Sequence, residues 1–252
     1  HMHTDTAAQE PSSESPHVTV AGQRLALPVA VRDATSVSSL FTVPTRAVRA
    51  LLPTQDDFHV LELFPGTTLC AVAVVEYRDN DLGQYNEVSI AFFVQHSPTR
   101  PWPFVSLVNG FVRNSAAGYI HHLPVTTEFS CVAGRDIWGF PKTVEEIVFD
   151  DDGHHTTCTL EMQGQHVLTY TARSGGTRQM PDTPQPVYAY RDGTLYRTPS
   201  VMGGHRVGFH LGGATLTLGD HPIAQELRTL GLPKRPLMTT WIGAMHATFD
   251  AP

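Results

Sequence analysis

The sequence predicts one α+β domain built on a large, mostly antiparallel, barrel-like β-sheet with a few short helices. Many short apolar or alternating runs are separated by Gly, Pro and Asp-Gly punctuation. Only three short stretches carry helical spacing. No internal repeat or long linker divides the chain.

Residues 1–16 combine Ser, Thr, Glu and Pro without apolar period and read as a disordered tail, with His1 as an expression-tag remnant and Met2 as the native start. The domain is expected over residues 17–252. Val18 to Leu27 suit a hairpin about Gly22, and Ser36 to Val43 suit a strand. Pro44 to Leu52 read as a short helix: proline is tolerated in its first turn, Ala47, Val48, Leu51 and Leu52 have helical spacing, and Pro53 stops it. Leu69 to Val75 is continuously apolar, as in a strand covered on both faces. Tyr85 to Val94 alternates, with Val88, Ile90, Phe92 and Val94 on one face and Tyr85, Glu87, Ser89 and Ala91 on the other. Glu87 therefore faces either a polar cavity or water.

Trp102 to Phe104, set between prolines, belong to a loop or edge, and Phe111 to Val125 should contain another strand. Thr126-Thr127-Glu128 is a cap signal for a short helix to Ile137 that delivers Arg135. Gly139 and Pro141 break it, leaving Lys142 at the start of a strand through Val144 to Phe149. Further strands are expected at Thr156–Met162, His166–Ala172, Val187–Arg191 and Arg206–Leu211, with turns at Gly175-Gly176 and Asp192-Gly193. A last helix, His221 to Leu230, follows an Asp220 cap, with Pro222 in its first turn and Gly231 just past its end. The closing strand passes through Trp241 and Met245.

Composition excludes several classes of function. A net charge of -7 with no basic stripe argues against nucleic acid or an anionic membrane as partner. No run approaches the roughly 18–20 apolar residues of a membrane span, and the N-terminal residues lack a signal-peptide pattern. Cys70, Cys131 and Cys158 are odd in number, far apart and among apolar residues, as expected of reduced buried thiols in a cytoplasmic protein. The 14 histidines include the pairs His121-His122 and His154-His155, but adjacent residues of a regular strand face opposite sides, so neither pair is expected to hold a metal. Gly203-Gly204 and Gly212-Gly213 lack the context of a phosphate loop, and no Gly-x-Ser-x-Gly elbow is present. Glu145-Glu146 read as strand-edge charges.

The most informative run is Gly134-Arg135-Asp136-Ile137-Trp138-Gly139-Phe140-Pro141-Lys142. Of 17 Lys plus Arg, only Lys142 and Lys234 are lysine. A sequence that writes nearly every positive charge as arginine has kept an amine beside Trp138 and Phe140. Arginine stays protonated, whereas a desolvated lysine can attack a carbonyl. The plainer reading is a surface lysine after a proline turn.

This run resembles the signature of the acetoacetate decarboxylase superfamily, in which Gly-Arg-acid is followed by an aromatic residue, proline and the Schiff-base lysine. Gly83-Gln84-Tyr85-Asn86-Glu87 is similar to the family's Gly-x-Tyr-x-Glu, and the order of Leu51-Leu52-Pro53, the Glu87 strand and the lysine turn also matches. The resemblance implies a closed, cone-like antiparallel barrel with flanking helices, an interior site and a homo-oligomer. Two departures stand out. Thr143 replaces the second lysine of the decarboxylases, so lowering of the Lys142 pKa must come from burial and Arg135. Arg32 is the nearest candidate for the family's carboxylate-binding arginine.

The mechanism so implied has Lys142 forming an iminium with a small keto acid and Glu87 shuttling protons. Arg32 or Arg135 binds the carboxylate, unless Arg135 pairs as scaffold with Asp136 or Glu128. Tyr85 and Trp138 shape the pocket, and no metal or organic cofactor is required. Three functions are distinguished: a β-keto acid decarboxylase, a keto-acid aldolase-dehydratase or cyclase using the same imine, which Thr143 favours, and a noncatalytic ligand-binding barrel.

Overall fold

The apolar run at Leu69–Val75 and the alternating segment after it become neighbouring strands at the centre of the molecule. The computed structural model describes residues 16–53, 56–112 and 117–252; the expected tail, Pro16 apart, lies outside them. In chain order the elements are β1 (His17–Val20), β2 (Gln23–Ala26), β3 (Val29–Pro44), α1 (Thr45–Arg49), β4 (Phe58–Val60), β5 (Glu62–Phe64), β6 (Thr67–Asn80) and β7 (Tyr85–His96). There follow α2 (Val105–Val112), β8 (Ala117–Val125), α3 (Glu128–Trp138), β9 (Lys142–Val144), β10 (Glu146–Asp151), β11 (His155–Met162) and β12 (Gln165–Arg173). The chain ends with β13 (Arg178–Pro184), β14 (Val187–Arg191), β15 (Thr194–Thr198), β16 (Ser200–Leu211), β17 (Ala214–Leu218), α4 (Pro222–Thr229) and β18 (Met238–Phe249).

A 12-stranded sheet runs in the order β13-β16-β18-β3-β6-β7-β8-β14-β15, with β4 paired to β7, β5 to β6 and β9 to β8. Its pairs are antiparallel except β8–β14 and β8–β9. The two outermost strands, β13 and β15, do not pair with each other, so the expected closed barrel is an open sheet among the described residues. The expected fold class, antiparallel β with short flanking helices, holds. Closure is not needed to bury the sheet, because other elements cover both of its faces.

One face packs against the four-stranded sheet β10-β11-β12-β17 and α4: Val37, Phe41, Val72, Val74, Val88, Ile90 and Phe92 meet Ile147, Leu160, Leu168, Tyr170 and Leu227. Buried hydrogen bonds cross this layer, from Tyr170 to Ser39 at 2.5 Å and from Trp241 Nε1 to Thr156 Oγ1 at 3.0 Å. The other face carries α3 and the β1–β2 hairpin, with Val31, Tyr77, Tyr85 and Val125 against Leu25, Cys131, Ile137 and Trp138. Alternation along β7 thus sends Val88, Ile90 and Phe92 into one layer and Tyr85 and Glu87 into the other.

Several local expectations are corrected. α1 stops at Arg49, short of Leu52. α4 is capped by His221, whose Nδ1 accepts the Ile223 N–H at 3.1 Å, not by Asp220. The prolines around Trp102 lead directly into α2, which was not foreseen. Val144–Phe149 is divided between β9 and β10, because the Glu145 N–H turns to the Val125 carbonyl at 2.8 Å. The three cysteines are buried and free, and no helix among the described residues is long and apolar enough to cross a membrane.

Candidate active site

α3 begins where Thr127, in extended backbone, caps the Ser130 N–H. It ends at Gly139, whose left-handed backbone (φ 67°) lets its N–H return to the Arg135 carbonyl at 3.0 Å. The chain reverses there and enters β9 parallel to β8, with Leu123 opposite Lys142. The backbone of Lys142 is clasped from α3: its carbonyl accepts Arg135 Nε at 2.7 Å and the Cys131 thiol at 3.4 Å.

The Lys142 side chain then runs back along α3 into the sheet-facing layer and is 2% exposed. Nζ donates to the Ser130 carbonyl at 3.1 Å and reaches the Tyr85 hydroxyl at 3.5 Å, 5.1 Å from that ring's centroid. It passes over Gly134, where a β-carbon would lie 2.6 Å from Lys142 Cε and 2.9 Å from Nζ. Only glycine leaves this path open.

Glu87, two residues beyond Tyr85 on β7, is buried on the same face. Its Oε1 accepts the Tyr77 hydroxyl at 3.2 Å, and the Tyr77 and Tyr85 rings pack with centroids 4.5 Å apart. No hydrogen bond joins Glu87 to Lys142 among the described residues, although each acts on the other's charge. Burial pushes the Lys142 pKa down, opposed by the charges of Glu87 and Cys131. Burial likewise raises that of Glu87, opposed by Lys142 and the Tyr77 hydroxyl. Desolvation disfavours the charged form of each, so the pair is driven toward a neutral amine and a protonated acid. The Tyr77 and Tyr85 hydroxyls, both raised by burial, stay protonated.

The structure brings together Lys142, Glu87 and Tyr85 of the expected site residues. Arg32 is not with them: it falls at a register break of β3 between Val31 and Asp33, with Val31 in the buried layer and Arg32 outward, where it pairs with Asp79 at 2.9 Å and Asp81 at 2.7 Å. Exposed Asp79 and half-buried Asp81 hold it at the surface, which corrects its assignment to substrate. Arg135 is also exposed, and its partner is the Lys142 carbonyl, neither Asp136 nor Glu128. Trp138 lies one helical turn beyond Gly134, stacked on Phe140 with centroids 5.5 Å apart and donating Nε1–H to the Asp250 carbonyl at 2.8 Å. Its contacts fasten the end of α3 to the chain terminus.

Tyr77, Asn80 and Ser130 complete the site and were not singled out, while Gly134, the first residue of the lysine run, is given its role by the structure. Asn80 Oδ1 is fixed by the Leu82 N–H at 3.0 Å, and its buried Nδ2, which meets no acceptor in good geometry among the described residues, faces the Tyr85 hydroxyl and opposes the rise of that group's pKa. Tyr77 carried one signal: it is the aromatic residue at the end of a strand adjoining the Glu87 strand. Asn80 and Ser130 carried none, since a strand-end turn and helix register place them. A cleft of about 560 Å³, lined by Arg46, Arg49, Glu62, Arg100 and Trp102 among others, sits elsewhere and includes neither Lys142 nor Glu87.

The acetoacetate decarboxylase (ADC) family profile matches residues 11–250. The chain belongs to the acetoacetate decarboxylase family. ADC-family structures with the same fold include acetoacetate decarboxylase from Legionella pneumophila subsp. pneumophila str. Philadelphia 1, 15% identical over 97% of this chain and 91% of that chain, with a TM-score of 0.64. A second acetoacetate decarboxylase structure is 19% identical over 89% and 87%, with a TM-score of 0.59. The enduracididine biosynthesis enzyme MppR, complexed with the condensation product of pyruvate and imidazole 4-carboxaldehyde, is 15% identical over 97% and 96%, with a TM-score of 0.60. No curated protein sequence matches this chain. Family membership makes this ADC-like protein an enzyme of lyase type.

Proposed function

We propose that this ADC-family protein is a Schiff-base lyase that decarboxylates a small β-keto acid through an iminium on Lys142. The observation that carries the reading is the buried Lys142 amine, held by Ser130 and Tyr85 beside a buried carboxyl whose pKa is raised. A lysine pushed toward its neutral form keeps the lone pair that attacks a ketone.

Nζ bonds to the substrate carbonyl carbon to give a carbinolamine, and protonated Glu87 gives its proton to the departing hydroxyl, which leaves as water. The bond to the carboxylate carbon then breaks, its electron pair moves into the iminium, and carbon dioxide departs. Glu87 takes up a proton from solvent and gives it to the enamine carbon, and water then adds to the resulting iminium and releases the ketone and the free amine. Tyr85 and the Asn80 amide beside it orient the substrate. With Arg32 and Arg135 both directed outward, these neutral groups take the place that sequence reasoning gave to an arginine.

A second reading rests on Thr143. It is half-buried and follows Lys142 on a strand, so it points away from the amine and adds no charge there. A keto-acid aldolase-dehydratase or cyclase uses the same iminium to make an enamine by proton loss, and MppR, whose fold this chain shares, is captured with a pyruvate condensation product.

Borohydride trapping with acetoacetate and, separately, pyruvate tests both readings. The expected result is a reduced adduct on the Lys142 peptide that is absent in Lys142→Ala, with gas release from acetoacetate marking the decarboxylase. Folded protein that yields no adduct on Lys142 with either acid overturns both.

A further inference from the structure

His121 and His122 were expected to face opposite sides of their strand, and they do not. Along β7–β8 the partners run from Ala91–Ile120 to Ile90–His122, so His121 is an extra residue in β8, a β-bulge. A bulge re-aims side chains locally, and here it puts neighbouring imidazoles side by side, with ring centroids 4.2 Å apart. Glu226 reaches them from α4, which is seated by its buried Ala224 and Leu227. Its Oε1 lies 2.6 Å from His121 Nε2 and 2.8 Å from His122 Nε2.

We propose that His121, His122 and Glu226 form a site for a divalent transition-metal ion of the zinc class, with water completing its coordination. Two imidazoles and one carboxylate are a zinc donor set that leaves an open position. The three ligand atoms lie within 4.8 Å of one another. Around a tetrahedral zinc, donor atoms at about 2.0–2.2 Å from the metal sit roughly 3.3 Å apart, so Oε1 has to part from the two nitrogens, now at 2.6 Å and 2.8 Å, by roughly 0.5–0.7 Å to admit the ion.

The rival is a clamp of two neutral imidazoles donating to a carboxylate. A pure hydrogen-bond clamp gains most by using both carboxylate oxygens, yet both nitrogens converge on Oε1 and no hydrogen bond to Oε2 is found among the described residues. An ion seated among the three would engage both nitrogens and Oε1 together and leave Oε2 for its water. The side chains of His121, His122 and Glu226 are 14%, 25% and 26% exposed, which admits an ion and a water. Phe92 packs beside His121 at 5.5 Å, in the layer opposite Lys142, so the ion would join α4 to β8 independently of the amine.

The test uses the full chain, stripped with EDTA and titrated with Zn²⁺ by calorimetry and with Co²⁺ by visible absorption. The expected result is one ion per chain, a higher Tm with Zn²⁺ and a Co²⁺ spectrum of low-symmetry nitrogen and oxygen coordination. His122→Ala and the isosteric Glu226→Gln should each weaken binding at least about tenfold. Circular dichroism of the metal-free variants checks their folding, and Glu226→Gln keeps the test open if His122→Ala does not fold. Absence of stoichiometric binding overturns the site. So does binding that is unchanged in folded Glu226→Gln, which would belong to other histidines such as His1 and His3.

Discussion

Gly134 and Lys142 fit together: the lysine side chain occupies the space that a β-carbon at 134 would fill, with Cε and Nζ 2.6 Å and 2.9 Å from that position. Eight residues apart in sequence, they are opposed because Gly139 ends α3 and β9 doubles back along it.

Gly134→Ala is therefore expected to displace the amine from Ser130 and Tyr85 while leaving α3 helical, since alanine favours helix over glycine. Misplacing a reacting group by about 1 Å costs on the order of 10²-fold. Borohydride trapping should fall by about that factor, with near-native circular dichroism. Unimpaired trapping would show that the amine works from another position.

Lys142→Met tests desolvation of the amine, best in a Glu87→Gln background that removes the coupled carboxyl. The folded-state pKa of Lys142 lies below the ordinary 10.5 because of burial. Between those two values the unfolded chain binds more protons than the folded one, so stability rises with pH. The methionine variant should have the higher Tm at neutral pH, and its advantage should shrink as pH approaches about 10.5. In the native enzyme, imine formation should reach half its maximum below that pH. A stability difference that grows with pH would contradict a buried, neutralised amine.

Glu87→Gln keeps the shape and removes the proton shuttle. General acid–base catalysis contributes typically about 10²–10⁴-fold, and a loss in that range is expected in steady-state turnover. Because burial raises the Glu87 pKa, its ionisation costs stability as pH rises through the folded-state value. The glutamine variant should therefore melt higher than the native protein above that pH and show no such advantage in acid. Full activity in Glu87→Gln would remove this residue from the mechanism.

The two arginines separate by position. Arg135→Met loses the hydrogen bond from Nε to the Lys142 carbonyl, a contact that sets where β9 begins. It should slow trapping at every concentration of keto acid, a fall in rate rather than in affinity. Arg32→Ala removes only exposed ion pairs with Asp79 and Asp81, and trapping should be unchanged. If Arg32→Ala instead raised the keto acid concentration needed for half-maximal trapping, the outward placement of Arg32 would not describe the working site.

The local chemistry is legible in short segments of the chain. Thr127 as cap, Gly139 as helix stop, the alternation that puts Tyr85 and Glu87 on one face, and an amine kept among arginines are all properties of short segments. Spacing and residue type suffice for these. Tertiary structure alone decided which segments meet. A register break beside Val31, with Asp79 and Asp81 as ion-pair partners, turned Arg32 outward, and the reversal after α3 gave Arg135 the Lys142 carbonyl as partner. A one-residue bulge brought His121 and His122 to the same side, where regular alternation had separated them. The same packing, by covering both sheet faces, left the sheet open where a closed barrel was expected. Register, bulges and the covering of faces depend on contacts between residues far apart in the chain, and no local pattern contains them.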